Sequence, residues 1–357
     1  MANPYSDSPD YAFWERAITN VAEAHLDLVT NPPFAIGPGD AVATAGSCFA
    51  QHIARTLSAQ GFNYLVTETE PSTPGAVDEG YGLFSARFGN IYTVRQLLQL
   101  FDRAYGLFKP ADRWWHGRKG GFVDPFRPRI QEGGFASIDD LEADRTAHLL
   151  AVQRLFEDCR IFIFTLGLTE GWISTRDGAV FPLAPGVGGV PENPEYYAPH
   201  NFRAASMIAD MEEFLTKLRS VNPAVQVILT VSPVPLIATF EDRHVALSTS
   251  YSKSALRVVA EEASQDKDWV AYFPSYELVT GHYSSGFFEE DLRNVRPEGV
   301  SRVMQMFRTH YLSGESRPVN AAPRENIKLS EEDRQRFRAV EGIVCDEEAI
   351  ISEMDKR

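Results

Sequence analysis

Three continuous apolar runs, each about the length of one β-strand, constrain the fold of this chain more than any other feature. They are residues 40–45 (DAVATA), 161–166 (IFIFTL) and 225–231 (VQVILTV). An unbroken apolar run indicates a strand that is buried on both faces, which is typical of parallel sheets covered by helices. Because segments with helical spacing separate the runs, the sequence predicts an α/β fold with a mostly parallel sheet.

The remaining predicted elements complete this pattern. We predict a further strand at 62–67, a segment at 270–276 that begins as a strand and ends in a Pro-Ser turn, and a hairpin with a long Gly/Pro loop within 173–200. The predicted helices span 49–59, 93–105, 144–159, 202–221, 252–263 and 297–307. Residues 40–67 then read strand–turn–helix–strand, which is a parallel βαβ unit.

The domain organisation follows from the breakers and the composition. Residues 1–38 form a lead-in, 39–312 one α/β domain, and 313–357 a polar, charged appendage. Within the domain, 106–140 is rich in Trp, Gly and Pro, and we interpret it as a loop-rich insertion that covers a site.

Charge and cysteine content exclude several classes of function. The net charge of −15 argues against a nucleic-acid partner, which requires clustered Lys and Arg. No segment approaches the roughly 20 apolar residues of a membrane span, and the start of the chain lacks the pattern of a signal peptide. The three widely spaced cysteines, Cys48, Cys159 and Cys345, give neither a disulfide framework nor a zinc pattern. We therefore expect a cytoplasmic protein without metal or cofactor.

The turn after the first predicted strand carries the sharpest chemical signal. Parallel α/β sheets bind ligands at the carboxyl ends of their strands, and Gly46-Ser47-Cys48 lies at such an end. A cysteine near a helix N-terminus favours the thiolate, which is the nucleophilic form. The alternative interpretation is a small buried cysteine, with Ser47 capping the helix.

Five sequence blocks resemble those of one protein family, the GSCFA family. In order along the chain they are AGSCFAQHIARTL (45–57), RFGNIYT (87–93), TLGLTEGW (165–172), TVSPVPL (230–236) and YFPSYE (272–277). The resemblance covers about residues 40–310. GSCFA proteins are placed among SGNH/GDSL-like hydrolases, so the resemblance implies a flavodoxin-like three-layer sandwich.

The resemblance also implies roles for individual residues. Cys48 takes the nucleophile position, with Ser47 as the fallback. Gly89 and Asn90 match the second block, which supplies oxyanion donors. Thr169 and Glu170 stand where the superfamily has Asn and Asp. The late Asp-x-x-His block corresponds to Asp291 followed by Asn294, so this chain has an amide in the position of the general base.

A thiol needs a base less than a hydroxyl does, because a lowered pKa already supplies thiolate. The alternative is that another histidine accepts the proton. His200, in a loop before a helix and oriented by Asp291, is the first candidate. His282, His244 and His52 follow in that order, and His52 lies four residues after Cys48.

The resulting expectation is a hydrolase or acyltransferase that acts on an acyl ester, such as the O-acyl groups of a glycan. The missing histidine motivates an alternative, a non-catalytic carbohydrate-binding module on a hydrolase scaffold. A protein that docks on a synthesis complex through 313–357 is the third hypothesis.

Overall fold

The computed structural model describes residues 3–69, 81–118, 120–131, 133–284 and 286–313, with residues 348, 350 and 351 near the C terminus. The predicted appendage at 313–357 therefore lies almost entirely outside the described residues, and so does Cys345.

Strands and helices alternate along most of the described chain. The strands are β1 (Val42–Gly46), β2 (Trp115–His116), β3 (Phe122–Val123), β4 (Ile161–Leu166), β5 (Glu170–Ser174), β6 (Val180–Phe181), β7 (Tyr197–Asn201), β8 (Gln226–Val231) and β9 (Val270–Phe273). The helices are α1 (Ala50–Ala59), α2 (Val94–Ala104), α3 (Ile138–Asp158), α4 (Ala204–Val221), α5 (Val245–Ser264), α6 (Ser275–Thr280) and α7 (Pro297–Tyr311). Short helical turns lie at Asp10–Ala12, Glu15–Thr19, Glu23–His25 and Pro194–Tyr196.

The central sheet has the order β1-β4-β8-β9, and each of its neighbouring pairs is parallel. Val42 pairs with Ile161, which in turn pairs with Gln226. The prediction of an α/β fold with a parallel sheet is confirmed. All residues of β1 and β4 are buried, which explains why their sequences are continuously apolar.

Helices cover both faces of this sheet. Successive side chains of a strand point to opposite faces, so Phe162 and Phe164 of β4 join the core formed with α2–α5, whereas Ile161 and Ile163 join the core formed with α1, α6 and α7. The chain thus has the arrangement of a three-layer α/β sandwich.

The predicted strand at 62–67 is wrong, because only one residue of this segment pairs with the sheet. Tyr64 forms a single parallel bridge with Val42. The amide and hydroxyl of Thr67 bond to the Ser85 carbonyl, and the hydroxyl also reaches the Ala151 carbonyl. These bonds draw the chain away from the sheet after Leu65.

Two predicted helices begin too late. Helix α3 starts at Ile138 because the Ser137 hydroxyl accepts the Asp140 amide and caps it. Helix α5 starts at Val245 because His244 caps it through Nδ1. A histidine cap is uncommon, and residues 245–251 show no clear apolar stripe, so this helix start has little signature in the sequence.

Peripheral segments pack on this framework. Strands β6-β5-β7 form a small antiparallel sheet, against which Trp115 of the 106–140 insertion is buried, contacting Phe181 and Tyr197. In the lead-in, Val29 and Ile36 belong to the core under α7. No helix of the described residues is both long and apolar enough to cross a membrane.

Candidate active site

A tight turn joins β1 to α1 and holds Cys48. Gly46 has φ of 132°, and a Cβ there would lie 2.3 Å from the Thr165 carbonyl oxygen, so the position requires glycine. The Ser47 amide donates to that same oxygen at 3.2 Å. The Gln51 amide donates to the Cys48 carbonyl at 3.2 Å and links the turn to the helix. Backbone geometry therefore fixes Cys48 at the end of the sheet.

Five buried side-chain polar atoms that have no hydrogen-bond partner among the described residues lie in this turn or in the segments that adjoin it. They are Oγ of Ser47, Oγ1 of Thr165 and Thr169, and both amide atoms of Gln51. Each of these four residues, which we call the orphan cluster, is at most 3% exposed. A buried polar group left unpaired costs about 1–3 kcal/mol, so groups in such a cluster are expected to bind water or a ligand.

The orphan cluster lies at the carboxyl ends of β1 and β4. Thr165 is in register with Gly46, and the alternation along β4 directs its side chain to the face covered by α1. Gln51 is in the first turn of α1. A Cβ on Gly167 would lie 3.2 Å from the Ser47 Cβ, so the segment after β4 passes directly beside Ser47. This is the edge at which parallel α/β sheets bind ligands.

The segment that precedes α2 packs against the Cys48 turn. The Ile91 amide donates to the Gly46 carbonyl at 2.8 Å, which places Gly89 and Asn90 next to the turn. Gly89 has φ of 72°, and no atom lies within 4 Å of the position that a Cβ would take. Asn90 is 3% exposed. The structure thus brings together Cys48 with Gly89 and Asn90, and Gly89 faces open space.

Helix α5 holds the segment that follows β4 in place, and sequence reasoning missed this role. The Lys253 ammonium donates to the Gly167 carbonyl at 2.8 Å, and Ser252 Oγ accepts the Thr169 amide at 3.1 Å. Lys253 is only 1% exposed. The predicted helix 252–263 would begin at these residues, but they lie within α5. The available signal was the spacing of Lys253 three residues before Leu256, on the buried face of the helix.

Glu170 supports the loop that precedes α5. Its carboxylate accepts the Thr239 hydroxyl at 2.7 Å and the Phe240 amide at 3.4 Å. Both bonds go to the segment between β8 and α5, so Glu170 positions that segment.

The predicted pair of His200 and Asp291 is not joined by a contact among the described residues. His200 lies exposed on β7, its ring 4.5 Å from the Phe202 ring. Asp291 accepts the amides of Arg293 and Asn294 at 2.9 Å and the Asn294 side-chain amide at 2.6 Å. Although partial burial raises the pKa of Asp291, these bonds lower it below its usual range. The carboxylate thus stabilises its own loop.

Of the other candidate bases, His52 lies nearest to Cys48 along the chain. His282 stacks on Trp14 at 5.3 Å, and His244 caps α5. His52 lies on α1, one turn after Cys48, and its ring is 5.4 Å from that of Phe49. Burial, with a smaller contribution from Arg55, lowers the pKa of His52 to about 4. The imidazole is therefore neutral at neutral pH.

A comparison with family models gives a match for the GSCFA family over residues 41–307. The chain belongs to the GSCFA family. The matched range spans the whole central sheet of this GSCFA protein and each site residue described above. A search of curated proteins found no match.

Proposed function

We propose that this GSCFA protein is an SGNH/GDSL-like acyl-ester hydrolase or acyltransferase with Cys48 as its nucleophile. The observation that carries the proposal is the orphan cluster, because four buried residues at the sheet edge that holds a cysteine have side-chain polar atoms without a hydrogen-bond partner among the described residues. Binding a polar reactant is a physical reason to retain such groups despite their cost to stability.

In the proposed reaction, the Cys48 sulfur attacks the acyl carbonyl carbon. A C–S bond forms, the ester C–O bond breaks, and the leaving oxygen takes the thiol proton. Water or an acceptor hydroxyl then attacks the thioester, and its proton returns to the sulfur. A thiol depends less on a strong base than a hydroxyl does, which suits a site whose nearest imidazole along the chain, His52, has its pKa lowered to about 4.

Three donors are proposed for the oxyanion of the tetrahedral intermediate. They are the amides of Cys48 and Gly89 and the hydroxyl of Thr169, with Asn90 beside them. A preorganised donor of this kind contributes about 3 kcal/mol to transition-state stabilisation. The proposal assigns Lys253 the role of a positioning residue, since it holds Gly167 two residues before Thr169.

A glycan O-acyl ester is the proposed substrate class. It derives from the SGNH analogy, and a groove on the insertion supports it. This groove, of about 170 Å³, is lined by Asp112, Trp114, Arg176 and Tyr196 among others. Asp112 Oδ2 is buried without a partner. Carboxylates and aromatic rings together suit sugar hydroxyls and the apolar face of a sugar ring.

The second candidate is a carbohydrate-binding module without catalysis. The bonds from Asn294 to Asp291 favour it, because they occupy the carboxylate that would orient a histidine in a hydrolase. The two candidates differ in whether the wild-type protein turns over any acyl ester.

The experiment compares Cys48→Ala, Ser47→Ala and Cys159→Ala with the wild type on p-nitrophenyl acetate and on acetyl thioesters. We expect Cys48→Ala to lose at least about 10³-fold in kcat/KM, as nucleophile removal does in other enzymes, and Cys159→Ala to retain wild-type turnover. Circular dichroism confirms that each variant is folded. Wild-type turnover by Cys48→Ala would refute this nucleophile, and the absence of wild-type turnover on acyl esters would favour the binding module.

A further inference from the structure

A small cavity lies behind Asn90, between α2, α3 and the 106–140 insertion. Its volume is about 20 Å³, and its lining includes Arg103 from α2, His148 from α3, and Phe126 and Arg127 from the insertion. A cavity needs about 10–15 Å³ to hold one water molecule, so this one accommodates a single water or a monatomic ion.

Three lining side chains have polar atoms without a hydrogen-bond partner among the described residues. They are Nη2 of Arg103, Nη1 of Arg127 and Nε2 of His148. Of these atoms, Arg127 Nη1 lies 4.0 Å from Glu68 Oε1, which is an ion-pair contact but too long for a hydrogen bond. The residues are 8%, 3% and 0% exposed, respectively. Two of these atoms belong to guanidinium groups, which only donate hydrogen bonds. The cavity thus offers charged donors from two different elements.

A network of buried ion pairs surrounds the cavity. Its members among the described residues are Glu68, Arg87, Asp124, Arg127, Asp144, Arg145 and His148. Arg127 bonds to Asp124 at 3.0 Å and to Asp144 at 2.6 Å, so its charge is compensated within the network. Although burial raises the pKa of Asp124, the neighbouring arginines hold it far below its usual range.

Arg103 differs from the other arginines of this region. It forms no ion pair with a carboxylate among the described residues, and its guanidinium lies 3.8 Å from the centre of the Phe126 ring. Burial lowers the pKa of Arg103 to about 9, since the charge of Asp124 offsets the burial only in part and Arg145 and Arg127 add to the lowering. A buried charge is retained only with a compensating partner.

We propose that this cavity binds a monatomic anion of the chloride class, with Arg103 and Arg127 as its ligands. The anion adds a negative charge in direct contact with Arg103, whose interaction with Asp124 compensates the burial only in part. It also joins α2 to the insertion, since Arg103 and Arg127 come from these two segments. The inference does not depend on the reaction proposed for Cys48.

His148 links this site to pH. Its Nδ1 lies 2.7 Å from Glu68 Oε2, so the neutral ring that donates this bond presents a lone pair at Nε2. An anion requires the protonated ring, with N–H at Nε2. Without the anion, burial lowers the pKa of His148 to about 4, with smaller contributions from Arg127 and Arg103 and despite Glu68. Binding of the anion therefore takes up a proton, and the affinity falls as the pH rises.

The test replaces fluoride by bromide at constant ionic strength and measures the melting temperature of the full chain. We expect bromide to raise the melting temperature of the wild type by a few degrees, and to raise it more at mildly acidic than at alkaline pH. In Arg103→Met we expect no such rise. Arg16→Met removes an exposed arginine and should keep the full bromide effect.

A crystal of the wild type soaked in bromide provides a second measurement that needs no variant. We expect an anomalous peak in the cavity, within hydrogen-bond distance of the two guanidinium groups. A melting temperature that is the same in both salts, or a cavity without an anomalous peak, means that water is the occupant and overturns the proposal. Neither result bears on the turnover that tests Cys48.

Discussion

Cys48 and Cys159 are both buried, but their surroundings differ in kind. Cys159 follows α3, is 1% exposed and belongs to the large apolar core, and its Sγ lies 3.8 Å from the Phe156 carbonyl oxygen. Burial raises the pKa of the Cys159 thiol to about 12. Cys48, 8% exposed, lies in a turn between Ser47 and Gln51, two members of the orphan cluster. The polarity of the surroundings, and not burial alone, therefore distinguishes a candidate nucleophile from a cysteine that only packs in the core.

The largest expected difference is in the rates of alkylation by iodoacetamide. At neutral pH a thiol with a pKa of about 12 has a negligible thiolate fraction, whereas cysteines before helix N-termini favour the thiolate. We expect Cys48 to react at least about 10³-fold faster than Cys159 in the native protein. Peptide mass spectrometry measures both rates in one sample. Equal rates would remove the contrast between the two sites.

Gly46→Ala tests whether the backbone holds the Cys48 turn. The added Cβ would lie 2.3 Å from the Thr165 carbonyl oxygen, so we expect a loss of about 3 kcal/mol or more in the free energy of unfolding, together with loss of the proposed activity. Gly89→Ala is the matched control, because its φ is also positive but its Cβ would meet open space. It should lose only about 1 kcal/mol. Urea denaturation measures both, and similar losses would contradict the assigned geometry.

Thr165→Val tests whether the orphan cluster reduces stability. Because Thr165 Oγ1 is buried without a partner, the isosteric change should raise the free energy of unfolding by about 1 kcal/mol. Thr230, its register neighbour on β8, has a hydroxyl that bonds to the Phe273 carbonyl and to Ser275 Oγ. Thr230→Val should therefore lower the free energy by about 1 kcal/mol. Changes of the same sign in the two variants would argue against the cluster.

His52→Gln tests how the environment of α1, next to Cys48, makes the free energy of unfolding depend on pH. Since the pKa of His52 falls from 6.5 when unfolded to about 4 when folded, the unfolded state binds its proton first on acidification. The stability due to the neutral ring is present above about pH 6.5 and is lost as the pH falls toward 4. We expect the variant to lose less stability than the wild type over this window. Identical slopes of unfolding free energy against pH would contradict the burial of His52.

The sequence allowed the central sheet to be predicted because its strands are buried on both faces. The run IFIFTL coincides with β4 to the residue, since five of its side chains belong to the two cores and that of Thr165 is buried as well. The segment 62–67 looked equally strand-like, but bonds from Thr67 to the distant residues Ser85 and Ala151 decide its course. Sequence patterns do not contain such long-range competition.

The site was predictable only in its backbone-determined part. Gly46 and Gly89 need positive φ next to a turn, and Cys48 follows a buried strand, so local sequence identified them. Lys253 reaches the site from a helix that is remote in sequence, and Gln51 has a polar side chain turned inward. His200 looked suitable as a loop residue, yet it lies in β7 with its ring against Phe202. Tertiary packing places these side chains.

Trapping the acyl-enzyme shows directly whether Cys48 is the nucleophile. The wild type is mixed with p-nitrophenyl acetate, quenched in acid within the first turnover and digested for mass spectrometry. If Cys48 is the nucleophile, we expect one acetyl group on the peptide that contains Cys48 and none on the peptide with Cys159. We expect no such adduct in Cys48→Ala. Turnover that proceeds with the acetyl group on another residue, or with Cys48 unmodified at every quench time, would contradict it.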